Sequence, residues 1–274
     1  MKLYAAIDLH SNNSVLVILD EQDRVVHERG LPNEMPRVLT ELAPYRNDIQ
    51  AIAVESTFNW YWLVDGLMDA GYAVKLVNTA AVKVYDGLKY TGDEHDARHL
   101  AHLLRLGVLP TGYIYPKEER AVRDLLRKRA QLVRCRTAQI LSIQNLVSRN
   151  RGQGISTQEI RKLDEPAISE ACNGNAVLAL AIQSNLTVLR CLDEQIRGLE
   201  RVVLAQARLK PEFKKLLTVD GIWNILAMTI MYEAGDMERF TKVGQFASYA
   251  RCVSSSRWSN GKKKGEGNRK NGNK

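Results

Sequence analysis

Residues 2–30 read KLYAAIDLHSNNSVLVILDEQDRVVHERG. Three short runs rich in β-branched residues, KLYAAID, SVLVILD and RVVHERG, are separated by the turn formers SNN and EQD, which is the pattern of consecutive strands. Residues 33–45 suit a helix begun near Asn33 or Pro36. QAIAVES at 50–56 reads as a buried strand, 58–70 as a helix rich in large apolar residues, and YAVKLVN at 72–78 as a fifth strand, with helix again from 79. Three adjacent strands followed by alternation predict an α/β unit: a mixed sheet flanked by helices.

The character changes at 117. EERAVRDLLRKRAQLVRCRTAQILSIQNLVSRN runs for more than thirty residues without Gly or Pro. Val122, Leu125, Leu126, Leu132, Val133, Ile140, Ile143 and Leu146 recur at helical spacing. Arg151-Gly-Gln-Gly-Ile breaks the pattern, and a second long helix is expected from Ala176 to Leu209, stopped by Pro211. Two long amphipathic helices with a polar connection predict an antiparallel, coiled-coil arm. The expected modules are 1–115, 116–210 and 211–274.

A chain of 274 residues, 45% hydrophobic and 26% charged, has the composition of an ordinary folded protein of more than one unit. That composition excludes collagen-like, mucin-like and wholly disordered chains. The longest apolar run read from the sequence, Ile222 to Tyr232, is well short of the ~20 residues a bilayer span needs. The N-terminus carries Asp8 where a signal peptide would be apolar. Cys135, Cys172, Cys191 and Cys252 form no closely spaced pair, which fits a reducing compartment. The expectation is a cytoplasmic protein without membrane attachment.

The net charge of +8 is unevenly placed. Residues 1–116 are acidic, whereas 117–151 hold ten lysines and arginines against three acids, and 251–274 hold eight against one. Two basic blocks beside an acidic third point to a bound polyanion. The candidate nucleic-acid contacts are Arg127, Lys128, Arg129, Arg134 and Arg136 in the first block, and Lys262, Lys263, Lys264, Arg269 and Lys270 in the second.

Four carboxylates form the other candidate constellation. Asp8 ends the first strand, Glu55 ends the fourth, and Asp93 and Asp96 lie three apart near the start of a helix. At helical periodicity Asp93 and Asp96 share a face, within roughly 80°, with Ala97, Leu100, Leu103 and Leu104. An unpaired carboxylate is costly on an apolar face. Converging carboxylates call for hard cations such as Mg²⁺ or Mn²⁺, and two such ions roughly 3.5–4 Å apart stabilise both oxygens of a phosphoryl transfer. His95, His99 and His102 form a second row, but they fall on the other face and fit solvated or subunit-contact histidines better than zinc ligands.

AIDLH, VESTFNWYW around Glu55 and TGDEHDARHLA resemble, in order and spacing, the DEDD transposases of insertion-sequence family 110, including the Piv-type invertases. LLTVDGIWNILAMTIMYEAGDMERFTKVGQFASYA and SSSRWSNGKKKGEGNRKNGN resemble that family's second domain, so the likeness spans essentially the whole chain. The sequence departs from the family at Asp220 and Trp223, where proline and glycine are usual. Family members also continue past the position of Lys274, so a C-terminally shortened chain is expected.

The resemblance implies an RNase H-like (RuvC-like) first domain, a coiled-coil arm and a small, mainly helical transposase domain. It implies a DNA recombinase, directed by a structured guide RNA from the element and assembled as a dimer or tetramer in the bacterial or archaeal cytoplasm. Asp8, Glu55, Asp93 and Asp96 fall on the family's four metal-binding acids, with the acids of one subunit assisting the serine of another. Locally, Ser254, Ser255, Ser256 and Ser259 are equivalent candidates for a nucleophile; only the family register, counted from Lys270-Asn271-Gly272-Asn273, selects Ser259. The competing readings are a metal-dependent nuclease or junction resolvase, needing the acids but not Ser259, and an inactive nucleic-acid-binding remnant. An actin-like ATPase or sugar kinase would need a second glycine-rich phosphate hairpin, which the sequence lacks.

Overall fold

The computed structural model describes residues 1–82, 85, 93–208, 210–253 and 256–266. The described chain divides into two compact units, residues 1–114 with 242–274, and residues 115–241.

In the first unit five strands form one sheet: β1 (Leu3–Leu9), β2 (Asn13–Leu19), β3 (Val25–Pro32), β4 (Ile49–Glu55) and β5 (Val74–Val77), in the order β3-β2-β1-β4-β5. β1 to β3 are antiparallel neighbours, and β4 and β5 run parallel to β1, so the sheet is mixed as the sequence predicts. β1 is central and almost wholly buried. Alternation of side chains sorts its residues between two cores. Leu3, Ala5, Ile7 and Leu9 join Leu16, Ile18, Ile52 and Val54 on one face, beneath α1 (Met35–Leu42) and α2 (Tyr61–Asp69). Ala6 joins Val15, Val17 and Ala53 on the other, where α3 (Thr79–Val82) contributes Val82 and α4 (Asp93–Arg105) contributes Ala97, Leu100 and Ala101. Alanines at Ala6, Ala53, Ala97 and Ala101 let the helix approach the sheet closely.

In the second unit α5 (Lys117–Arg151) ends at Gly152, whose positive φ of 69° supplies the left-handed stop. α6 (Thr157–Lys162) and α7 (Glu165–Ala171) follow, then α8 (Ala176–Ala207), α9 (Pro211–Leu216) and α10 (Asn224–Ala234). The two short helices were not foreseen in the polar connection, although Ser156 with Glu159 forms a capping box and Asp164 caps α7. Ile160 and Ile168 from these helices, with Leu163 between them, pack with Ile143, Val147, Ile182 and Leu186 to close one end of the α5–α8 pair. At the other end Phe213 and Met228, Met231 and Tyr232 pack with Leu126, Val203 and Ala207. Contacts of Arg129 with Glu200, Arg136 with Asp193 and Ser142 with Asn185 show that α5 and α8 run antiparallel. By length and composition alone α8 could span a membrane, which the sequence reading did not single out. Its ion-paired Asp193 and Glu200 suit a helix that packs on protein.

Residues 242–266 contain α11 (Val243–Tyr249) and a hairpin, β6 (Ser256–Ser259) with β7 (Lys262–Glu266). Composition alone, rich in Ser, Lys, Asn and Gly, would make this region a flexible polar loop. The missed signal is Asn260-Gly261, whose φ values of 51° and 70° make the two-residue turn that favours hairpins.

Candidate functional site

The carboxylates take their positions from strand register. β1 and β4 pair with Ile7 opposite Val54, which sets Asp8 and Glu55 one step further along neighbouring strands, about 4.8 Å apart in backbone spacing. Ala6 and Ala53 face α4, so by the two-residue period Asp8 and Glu55 face it as well. Asp8 is 2% exposed, and His10, two residues on, brings its Nε2 within 3.5 Å of Asp8 Oδ2.

α4 is oriented by its far end. His102 and Arg105 bind Asp23, in the turn after β2, at 2.7 and 2.8 Å, and Arg98 binds Glu28 on β3 at 2.5 Å. Burial raises the Asp23 carboxyl, but hydrogen bonds and charge from His102 and Arg105 outweigh it and leave the group below its ordinary value. The turn holding Asp23 lies beyond Leu19, which pairs with Tyr4, at the opposite end of β1 from Asp8. Nine residues of helix from Asp96 to Arg105 cover about 13 Å, and four residues of strand from Tyr4 to Asp8 cover about the same. The start of α4 is therefore placed over the strand ends that carry Asp8 and Glu55. Asp96 is half-buried there, with Oδ1 shielded from solvent. The backbone of Asp93 begins the helix, and its side chain lies outside the described residues.

A latch fixes the loops around these acids. The His10 carbonyl accepts from Asn33 Nδ2 at 2.9 Å and from Asn59 Nδ2 at 3.0 Å, which fills both of its lone pairs. Thr57 Oγ1 donates to Asn59 Oδ1 at 2.9 Å, and Thr57 N–H to the Glu55 carbonyl at 3.0 Å. The turn after β1 and the loop after β4 are thus tied together on either side of Asp8 and Glu55. His10, Asn33, Thr57 and Asn59 were missed from the sequence. For His10 the signal was available, since it follows Asp8 by one strand period.

Acid-only oxygen donors on adjacent strand ends, one of them buried, suit a hard divalent cation. Among the described residues, however, no three potential ligands gather into one metal-holding group. The histidine row needs correction. Only His95 is well exposed; His99 is buried, and His102 is held by Asp23.

The first basic block is largely neutralised within the protein. Arg127 makes a two-pronged contact with Glu233 at 2.6 and 2.8 Å, Arg129 binds Glu200 at 2.9 Å, and Arg136 binds Asp193 at 3.0 Å. Among the described residues Lys128 reaches Gln131 and no carboxylate, and Arg134 is exposed. At the base of α5 the buried Tyr115 donates its hydroxyl to the Tyr232 carbonyl at 2.5 Å, satisfying an acceptor at the end of α10. Burial, with the Glu119 carboxylate beside it, pushes the Tyr115 phenol well above its ordinary value.

The second block is different. Lys262, Lys263 and Lys264 are exposed on β7, with no ion pair among the described residues. Ser259 is exposed at the end of β6, directly across from Lys262. Arg269, Lys270, Ser254 and Ser255 lie outside the described residues.

Two transposase families and a relative match this chain. Residues 5–150 match the DEDD transposase family of IS110, described as transposase, and residues 213–274 match the transposase IS116/IS110/IS902 family. A relative from Pseudomonas aeruginosa PAO1, described as "Probable family 20 transposase", is 28% identical over 247 residues, covering 86% of this chain and 69% of its own length. With one family matched across the acidic sheet and nearly all of α5, and the other across α10 and the hairpin, the chain belongs to the IS110 family of DEDD transposases, enzymes that recombine DNA.

Proposed function

We propose that this transposase cuts and rejoins DNA through Ser259, assisted by divalent cations held by Asp8, Glu55, Asp93 and Asp96. The observation that carries this reading is the register that sets Asp8 beside Glu55 on the face covered by α4. The cation, Mg²⁺ or Mn²⁺, would supply Lewis-acid stabilisation of the phosphate oxygens. Asp8 and Glu55 contribute charge from rigid strand ends. Asp93 and Asp96 contribute it from a helix anchored at its other end by Asp23.

Ser259 supplies the oxygen that attacks phosphorus, displacing a sugar hydroxyl and leaving a protein–DNA phosphodiester. A serine hydroxyl needs a base or metal to lose its proton, and no histidine adjoins it in sequence. Lys262, across the strand pair, is placed to hold a phosphate against it. The modules 1–115, 116–210 and 211–274 would then serve as acidic, arm and serine-bearing parts. Exposed Val177, Leu180 and Val188 recur along one side of α8 and support an arm that pairs with another copy, so that acids and serine come from different subunits. A structured guide RNA directing the DNA choice belongs to the same reading, on the strength of the family resemblance.

The test is covalent trapping. The wild-type chain, with Mg²⁺ and end-labelled element-terminus DNA, should give a protein–DNA adduct whose DNA-linked peptide contains Ser259, and Ser259→Ala should give none. Cleavage that survives in Ser259→Ala, with free DNA ends, would support the metal-dependent nuclease in its place.

A further inference from the structure

The hairpin that carries Ser259 has a second face. Side chains alternate along β6, so Ser256 and Trp258 share the face opposite Ser259. Trp258 is 62% exposed, although tryptophan is among the largest apolar side chains and burial would stabilise it. Its ring is not left loose: the indole Nε1–H donates to Ser256 Oγ at 2.5 Å. Across the ladder Trp258 pairs with Lys263, and the register slips there, between Arg257–Gly265 and Trp258–Lys263, so that Lys264 is the extra residue. The backbone pairing thus sets Trp258 opposite Lys263 and next to Lys264, neither of which has an ion pair among the described residues. A two-stranded hairpin is marginal by itself, so an exposed aromatic beside lysines that have no ion pair among the described residues is best accounted for by a ligand. An exposed aromatic face flanked by unpaired ammonium groups is the chemistry that binds a nucleobase together with its phosphates.

We propose that Trp258 stacks on a DNA base flanking the phosphate that Ser259 attacks, so that one face of the ribbon holds the reacting phosphate and the other grips the neighbouring base. A base must leave its own stack to accept the indole, so the preferred ligand is DNA with an unpaired or distorted step. The inference rests on the reading that the hairpin meets DNA at Ser259.

The experiment uses the full chain and two duplexes, one fully paired and one with a single unpaired fluorescent adenine analogue. Stacking on Trp258 should quench the analogue on binding, and Trp258→Phe should keep most of that signal. Trp258→Ala should abolish the quench and weaken binding of the unpaired-base duplex by roughly 5- to 150-fold, as loss of one stacked base does. Its salt dependence should stay that of the wild type, because no charge is removed, and this shows that the lysines are still presented. Equal affinity and quenching in Trp258→Ala and wild type would overturn the proposal. So would quenching by an RNA strand of the same sequence without quenching by the DNA. If Lys262, Lys263 and Lys264 together changed to Gln leave DNA affinity untouched, the reading of the hairpin as a DNA contact fails, which is a different result from failure at Trp258 alone.

Discussion

The paired and unpaired cations of the two basic blocks should respond differently to removal. A protein that neutralises phosphates releases counterions from DNA, so affinity falls with salt by roughly 0.9 log units per log unit of salt for each contact. Lys262, Lys263 and Lys264 have no ion pair among the described residues, and changing all three to Gln should lower the slope by up to about 2.7. Lys128 and Arg134 likewise have no ion pair among the described residues, and their double substitution should lower it by up to about 1.8. Arg127, Arg129 and Arg136 are bound to Glu233, Glu200 and Asp193. To reach a phosphate, Arg127 must first leave a two-pronged carboxylate contact. Hydrogen bonds to charged groups contribute about 1.5–3 kcal/mol each, about what a phosphate would return. The exchange gains little, so changing these three to Gln should leave the slope nearly as it was, even though it removes as much formal charge as the hairpin triple. The assay is fluorescence anisotropy on duplex DNA across a salt series, with circular dichroism to confirm the helices. A slope that collapses on removing the paired arginines and survives loss of the hairpin lysines would refute this assignment of charge.

Asp8→Asn should abolish the calorimetric signal of Mg²⁺ or Mn²⁺ binding without unfolding the sheet; identical titrations of mutant and wild type would remove the acids from any metal site. Tyr115→Phe leaves the Tyr232 carbonyl without its donor and should lower stability by about 1–3 kcal/mol, read from urea unfolding. Because the folded Tyr115 pKa is raised, the contribution of its hydroxyl is complete below the unfolded value, about 10, and is lost as pH rises through the folded one. The gap between mutant and wild type should therefore hold through neutral pH and narrow only in strong alkali. Mixing Asp8→Asn with Ser259→Ala chains, each inactive alone, should restore some strand exchange; no recovery in heteromers shown to form would exclude a site shared between subunits.

How much of this was legible in the sequence depended on how local the deciding interaction is. The strands were readable because β1, β2 and β4 lie in buried layers, and that demands runs such as VLVIL and AIAVE. The long helices were readable because periodicity over thirty residues is a strong signal. The faces of Asp8 and Glu55 also follow from local rules, since alternation and register determine them once the parallel pair is granted. The arginines of α5 were a different matter. Nothing within 117–151 reveals that Arg127 will meet Glu233 or that Arg136 will meet Asp193, because those partners lie 106 and 57 residues away. In the sequence Arg127, Lys128, Arg129, Arg134 and Arg136 have equal standing as nucleic-acid contacts, whereas folding pairs Arg127, Arg129 and Arg136 with carboxylates and leaves Lys128 and Arg134 without an ion pair among the described residues. The hairpin inverts the lesson, because its decisive signal was local, in Asn260-Gly261, and was obscured by the polar composition around it. That turn aligns Ser259 with Lys262 and turns Trp258 outward on the opposite face. A segment rich in lysine and asparagine thus becomes a surface on which Ser259, Lys262 and Trp258 have fixed relative places.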